Sequence, residues 1–400
     1  MVPLARLSLP GTRRARPLLE TLAMVTPWLR QAGITRVAVV SGLDDCPVPV
    51  VMVTRPLSCS LSVTQGKGLT LDAAKASGIM EAIEHFHAET AGGELRLASE
   101  HELADQCVSG TRLAGRLPRY SPQRRVMWQL GETLVTKRPL WVPFDLVHLD
   151  LRVDGVAAAP CFVPNSNGLA SGNTHEEAVA HALYELIERH ATAEFYELTV
   201  EEQERRRLNN GAIIDAECRE LVEALTASKL AVTVWDLTTE LGIPCFLCEV
   251  LGERDELRLT PIARGFGCHG VSGVALSRAI TEALQSRVTT ITGSRDDMIP
   301  EHSVTRAVRD AQAREQWRLR ALAPAQRLFR AIPSREFASF AEENAWLTGT
   351  LLSHGFDEPV VVNLSKPEWP VAVVRVLSPG LRFGPTEAGS KAARIGGFEQ

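Results

Sequence analysis

Three stretches far apart in the chain spell one short pattern, and that repetition limits the fold more than any composition value. Residues 77–84 read SGIMEAIE, residues 181–188 HALYELIE and residues 278–285 RAITEALQ. Each is a polar residue, three spacers, a glutamate, two spacers, then a glutamate or glutamine. The first two are also led in by a glycine and a threonine, Gly68 with Thr70 and Gly172 with Thr174, at the same offset as the glutamates. Spacings of four and three place each trio on one face of an α-helix.

The opposite faces are apolar. Val179, Ala182, Leu183, Leu186 and Ile187 form the core stripe of the second helix and leave Glu177, His181, Glu185 and Glu188 on the other side. Ile79, Ile83 and Phe86 stand opposite Ser77, Glu81 and Glu84; Leu276, Ile280, Ala283 and Leu284 stand opposite Arg278, Glu282 and Gln285. Thr174 with Glu177 matches a capping box, which would account for Glu177 without any function. Taken singly, each is an ordinary amphipathic helix with a solvated polar face. Recurrence points further. Glu81 with Glu84, and Glu185 with Glu188, put like charges side by side, and buried carboxylates need a cation. Mg²⁺ accepts such oxygen ligands and shares them with substrate phosphates. Arg278 and Lys67 can add positive charge to those phosphates, although spacing alone equally allows Lys67 to be a solvated loop lysine.

Around these helices the chain interleaves strands and helices without a regular βαβ period. Helices are predicted over 66–90, 174–196, 212–227 and 304–330. AVTVWDL, CFLCEVL, RLTPIARG, EPVVVNL and WPVAVVRVL read as strands. The expected fold class is mixed α/β (α+β), with amphipathic helices packed on sheets, and not a Rossmann repeat. GxxxxGK[ST] does not occur, and no regular βαβ period frames a dinucleotide fingerprint, so a nucleotide would be held by other means.

Composition excludes some classes. A net charge of -5 argues against a general nucleic-acid binder. The N-terminus MVPLARLSLPGTRRARPLL lacks the apolar core of a signal peptide, and no run approaches the ~20 apolar residues of a membrane span. A cytoplasmic chain with no membrane or nucleic-acid partner is expected. Eight cysteines are too sparse for a disulfide scaffold. Cys245 and Cys248 form a CxxC without two further ligands at zinc spacing, and read as strand residues on opposite faces.

At these residues the sequence resembles the YcaO family. The blocks that carry the resemblance are QGKGLTLDAAKASGIMEAIEHFHAE (65–89), NSNGLASGNTHEEAVAHALYELIERHATAEFY (165–196) and ARGFGCHGVSGVALSRAITEALQSRVTTITGSRDD (263–297), with GTRRARPLLETL near the start. The resemblance implies a large YcaO-type catalytic domain over 61–400 with an N-terminal α/β segment, 1–60, packed on it. It implies an ATP site in which helix glutamates hold Mg²⁺ around the phosphates, with Glu81, Glu84, Glu185 and Glu188 as metal ligands. Lys67, Ser77, Asn167, Ser171, Gln285 and Arg287 would bind nucleotide; Arg189, Arg278 and Glu282 would be catalytic. Arg13 or Arg14 would close the site from the N-terminus, and His269 in the GCHG turn is a weaker candidate for acid–base work.

YcaO enzymes use ATP to phosphorylate a peptide backbone amide on oxygen. An external sulfide as nucleophile then leaves a thioamide; a Cys, Ser or Thr side chain leaves an azoline ring. Neither route needs an enzyme thiol. Ring-forming members often end in PxPxP, whereas this chain ends ARIGGFEQ. The wording GITRV, GLD and EALQSR with TGSRDD is most similar to members that pair with a TfuA partner and make thioamides. The resemblance therefore implies a peptide or protein substrate, a sulfur donor, and a TfuA-like partner or separate peptide-recognition protein, and it allows a homodimer. An azoline-forming cyclodehydratase and a non-catalytic peptide-binding scaffold are the alternatives.

Overall fold

The computed structural model describes residues 6–152, 160–252, 262–295 and 304–383, with the side chains of 304–310 and 322 left aside. Its helices are α1 (Leu18–Val25), α2 (Leu71–Glu89), α3 (Glu100–Leu103), α4 (His175–Glu197), α5 (Val200–Arg205), α6 (Ala216–Ala227), α7 (Ser272–Thr292), α8 (Val304–Leu322) and α9 (Phe340–Ser353). The fold is mixed α/β.

Four antiparallel sheets carry the helices. A hairpin joins β1 (Leu7–Leu9) to β2 (Thr12–Arg14). β3 (Arg36–Val39), β4 (Val50–Thr54) and β5 (Val63–Lys67) form a second sheet, so residues on both sides of position 60 share it. The largest sheet runs β6 (Leu95–Ala98), β7 (Val126–Thr133), β13 (Val360–Asn363), β14 (Ala372–Leu377), β9 (Leu169–Gly172), with β8 (Pro139–Pro143) also on β7. β10 (Leu230–Asp236), β11 (Cys245–Gly252) and β12 (Ala263–Cys268) form the fourth.

Strand alternation sorts side chains between cores. Along β14, Val373 and Leu377 join a core with Ile79, Ile83 and Val362. Val374 and Val376 join another with Leu183, Leu186 and Ile187 of α4. On β11, Cys245 belongs to the α4 core and Cys248 to the α7 core, the opposite-face arrangement expected of this CxxC. All eight cysteines are free.

The repeated sequence pattern is a repeated structure: β5 leads into α2, β9 into α4 and β12 into α7. Each of these strands carries a glycine against its own helix. A Cβ at Gly66 would lie 1.9 Å from the Ala74 carbonyl oxygen, at Gly172 2.5 Å from the Ala178 nitrogen, and at Gly265 2.0 Å from the Ala283 nitrogen. Only glycine permits so close an approach. Thr70 and Thr174 cap α2 and α4 by accepting from Ala73 N–H and Glu177 N–H.

Several boundaries differ from expectation. The glycine-rich lead-ins to α2 and α4 are strands. The last predicted helix ends at Leu322, well before 330, and α9 has no counterpart among the predicted helices. The strand RLTPIARG is described from Ala263 onward, its first residues lying outside the described ones. Asp296, Asp297 and the C-terminal ARIGGFEQ also lie outside them.

Candidate active site

The polar faces of α2, α4 and α7 are turned inward, toward one another. Glu188 is 5% exposed and Glu177 only 1%, so a solvated face does not describe α4. The capping-box reading of Glu177 is corrected. Thr174 supplies its half, but the Glu177 carboxylate accepts from the backbone and side-chain nitrogens of Asn173, from Ala15 N–H, and from Arg14 at 3.5 Å. It is a buried acceptor clamping the β2 end to α4.

Glutamates from three helices are cross-linked by neighbouring strands. Glu84 Oε1 accepts from Ser171 N–H at 2.9 Å and from its hydroxyl at 2.6 Å, joining α2 to β9. Glu185 accepts from Gly168 N–H at 3.0 Å. Glu282 accepts from Phe266 N–H at 3.2 Å and pairs with Lys67, joining α7 to β12 and β5. Gln285 donates to the Gln65 carbonyl at 2.8 Å. Arg189 reaches Glu185 at 3.5 Å and Glu188 at 3.6 Å. Glu81 and Ser77 form no hydrogen bond, and Arg278 neither hydrogen bond nor ion pair, among the described residues; all three are free to meet a ligand.

Electrostatics identify what is missing. Burial pushes Glu81 up to about 7, partly opposed by Arg295 and Lys67. It pushes Glu84 up to about 8 despite the Ser171 bonds, and Glu188 up to about 7, reinforced by Glu282. Burial acts the same way on Glu282, but Lys67 and Arg189 outweigh it and its carboxyl is lowered. Burial therefore makes three of these carboxylates costly to ionise, a cost that a bound cation would offset. Among the described residues no three His, Cys, Asp or Glu groups gather closely enough to hold a metal alone.

Not every expected residue joins the cluster. Arg287 is 2% exposed and its guanidinium is taken up by Asp44 at 2.6 Å, so a nucleotide contact from it requires that pair to open. Asn167 sits beside the carboxylates, its N–H on Asn165 Oδ1 at 2.9 Å. His269 Nδ1 accepts from Val271 N–H at 2.9 Å, which places its proton on Nε2, 3.6 Å from Glu343. Burial, Arg6 and Arg278 push it well below the ordinary histidine value. It is an anchor for the start of α7, poorly suited to proton transfer.

Sequence reasoning gave no site role to His181, Asn173 or Arg375, whereas Arg14 was expected to close the site from the N-terminus. Arg14 Nη1 lies 2.7 Å from His181 Nε2, while His181 Nδ1 meets the Ser171 carbonyl at 3.2 Å, so the ring is neutral and donates from Nδ1. Asn173 links Glu177 to Thr21 at 2.7 Å. Arg375 lies wholly buried on β14. The inward position of an arginine in VAVVRVL was the one signal available for it.

Comparison with known proteins fits this arrangement. A family model described as YcaO cyclodehydratase, ATP- and Mg²⁺-binding, matches residues 65–382. An uncharacterised protein encoded in the tfuA 3′ region of Rhizobium leguminosarum bv. trifolii is 36% identical over 369 residues, covering 90% of this chain and 87% of that one. A structure of YcaO from Methanopyrus kandleri bound with AMPPCP and Mg²⁺ superposes with a TM-score of 0.75 at 20% identity, over 99% of both chains. A heterocyclase in complex with substrate and cofactor gives the same TM-score and identity; the match covers 98% of this chain but 57% of that longer protein.

Proposed function

Because the chain belongs to the YcaO family, we propose that it activates a peptide backbone amide by ATP-dependent O-phosphorylation, and that the product is a thioamide. The observation that carries the reading is the convergence of Glu81, Glu84, Glu185, Glu188 and Glu282 from three helices, three of them raised toward neutrality by burial. Mg²⁺-bound ATP, held by these carboxylates, would supply the phosphoryl group that makes the amide oxygen a leaving group.

The side chains position and neutralise; none attacks. Lys67 and Arg278 would meet the phosphate charge, while Arg189 pairs with both Glu185 and Glu188. Ser171 fixes the Glu84 rotamer through two bonds. The cysteines are consistent with a route that uses no enzyme thiol: burial pushes Cys46 up to about 11 and Cys107 up to about 12, leaving little thiolate.

The tfuA-region relative supports sulfur insertion, with a TfuA-like partner and an external sulfur donor. Cyclodehydration to an azoline is the second reading, favoured by the family description and the heterocyclase neighbour. Product mass separates them, since exchanging oxygen for sulfur adds about 16 Da and losing water removes about 18 Da. ATP hydrolysis tests both against a scaffold: no Mg²⁺-dependent turnover, with peptide and partner supplied, would sink the enzymatic reading.

A further inference from the structure

Arg375 occupies an unusual position. On β14 its neighbours on the same face are Val373 and Leu377, both core residues, and Arg375 itself is 1% exposed. Nη2 donates to the Asn165 carbonyl at 2.7 Å and lies 3.3 Å from Asn165 Oδ1. Nε and Nη1 have no hydrogen-bond partner among the described residues. Three residues on, the Ser378 hydroxyl is likewise buried without one. Glu185 is the carboxylate whose field reaches Arg375, yet the two form no ion pair.

These groups border a pocket. Asn165, Asn167, Arg375 and Ser378 make its polar side; Leu113, Leu146, Leu186 and Phe383 make its apolar side. The pocket adjoins the glutamate cluster: Leu186 follows Glu185 on α4, and Gly168, one residue past Asn167, donates to Glu185. A buried guanidinium facing a cavity without a contacting anion is costly. Water would satisfy the N–H groups but not the charge. A carboxylate satisfies the charge and accepts from one edge of the guanidinium, Nη1 beside the Asn165-bound Nη2, with a further bond from the serine hydroxyl.

We propose that this pocket, about 20 Å³ and so sized for a carboxylate head alone, is a carboxylate subsite for the peptide substrate, with Arg375 and Ser378 holding the carboxylate. The assignment rests on the amide-activating reading, which puts a peptide beside the glutamates. The carboxylate is a peptide C-terminus or an acidic side chain, and simple probes tell the two apart.

The test is calorimetric or NMR-detected binding of N-acetyl-leucine, of N-acetyl-glutamate α-amide and of neutral N-acetyl-leucinamide, on wild type, Ser378→Ala and Arg375→Gln. N-acetyl-leucine is expected to bind at least about tenfold tighter than its amide, a charge-assisted pair being lost in the latter. Tighter binding of the glutamate amide would assign an acidic side chain, and tighter N-acetyl-leucine a C-terminus. Ser378→Ala, which leaves Arg375 in place, should weaken the preferred probe severalfold, so the outcome does not hang on Arg375→Gln folding. Equal affinity for acid and amide, no binding of either acid, or wild-type affinity in Ser378→Ala would overturn the subsite. Mg²⁺–AMPPNP affinity is read on the same wild-type protein. Nucleotide binding without carboxylate binding refutes the subsite alone, and carboxylate binding without nucleotide binding refutes the ATP reading instead.

Discussion

Lys67 and Glu282, 215 residues apart in the chain, form an ion pair that bolts β5 to α7 across the candidate active site. Both side chains are partly exposed, at 20% and 27%. Lys67 is the nearest strong reason that Glu282 stays ionised while Glu81, Glu84 and Glu188 are raised.

Replacing that lysine tests whether the pair serves the ligand or the fold. Lys67→Met should cost only about 1 kcal/mol of stability, as for a partly exposed pair. Its Mg²⁺–ATP affinity should fall by about tenfold or more, because a phosphate partner is lost with it. Calorimetry beside thermal unfolding reads both. Undiminished affinity would remove Lys67 from the nucleotide site.

Glu84→Gln and Glu188→Gln should separate activity from stability. Burial makes the charged forms costly at both positions. A neutral isostere relieves that cost, and an amide oxygen at position 84 can still accept from Ser171. Melting temperatures should hold or rise while ATP turnover falls by about a hundredfold or more. Normal turnover in both folded variants contradicts the metal-ligand assignment.

The strand glycines should tolerate no methyl group. In Gly265→Ala the new Cβ would meet Ala283 N at 2.0 Å and Ala279 O at 2.3 Å, both backbone atoms of α7. The helix must lift from β12, and a loss of about 3 kcal/mol is expected from such overpacking. Denaturant unfolding would measure it, and a loss under about 1 kcal/mol would mean α7 shifts freely.

Away from the site, Arg55 and Glu89 form a buried pair at 2.7 Å, extended by Ser58 and Ser60. Burial raises the Glu89 carboxyl, but the bonds from Arg55, Ser58 and Ser60 outweigh it and hold it below its ordinary value. A depressed carboxylate contributes stability fully above its unfolded value, near ~4.3, and loses it as pH falls through the folded value. Glu89→Gln should therefore cost about 3–5 kcal/mol at neutral pH, with the gap to wild type closing on acidification. Denaturation at pH 7 and near pH 3 reads the difference, and a gap independent of pH would contradict the charged pairing.

Periodicity carried the helices because four-and-three spacing has one geometric meaning. Ser77, Glu81 and Glu84 do share a face, as do the trios of α4 and α7. The strands β5 and β9 were not legible, because Gly66, Gly68, Gly168 and Gly172 signal a loop to any reading of local propensity. Gly66 and Gly172 answer instead to the helices packed against them and Gly168 to the Val376 carbonyl of β14, which are tertiary demands. Glu177 misleads for a related reason: a capping motif is local, while its real partners Arg14 and Ala15 lie more than 160 residues away. In the same way Arg375 could not be placed, since its inward orientation depends on which face of β14 meets the core.

Gln285 meets Gln65 across 220 positions, and Lys67 meets Glu282 across almost as many. During synthesis on the ribosome, therefore, the carboxylates of α2 and α4 emerge long before the helix that completes their surroundings. A nascent chain halted ahead of Ala263 would hold four of the five glutamates and lack Arg278 altogether. The proposed nucleotide site is thus completed only when α7 has joined β5, after most of the chain has been made.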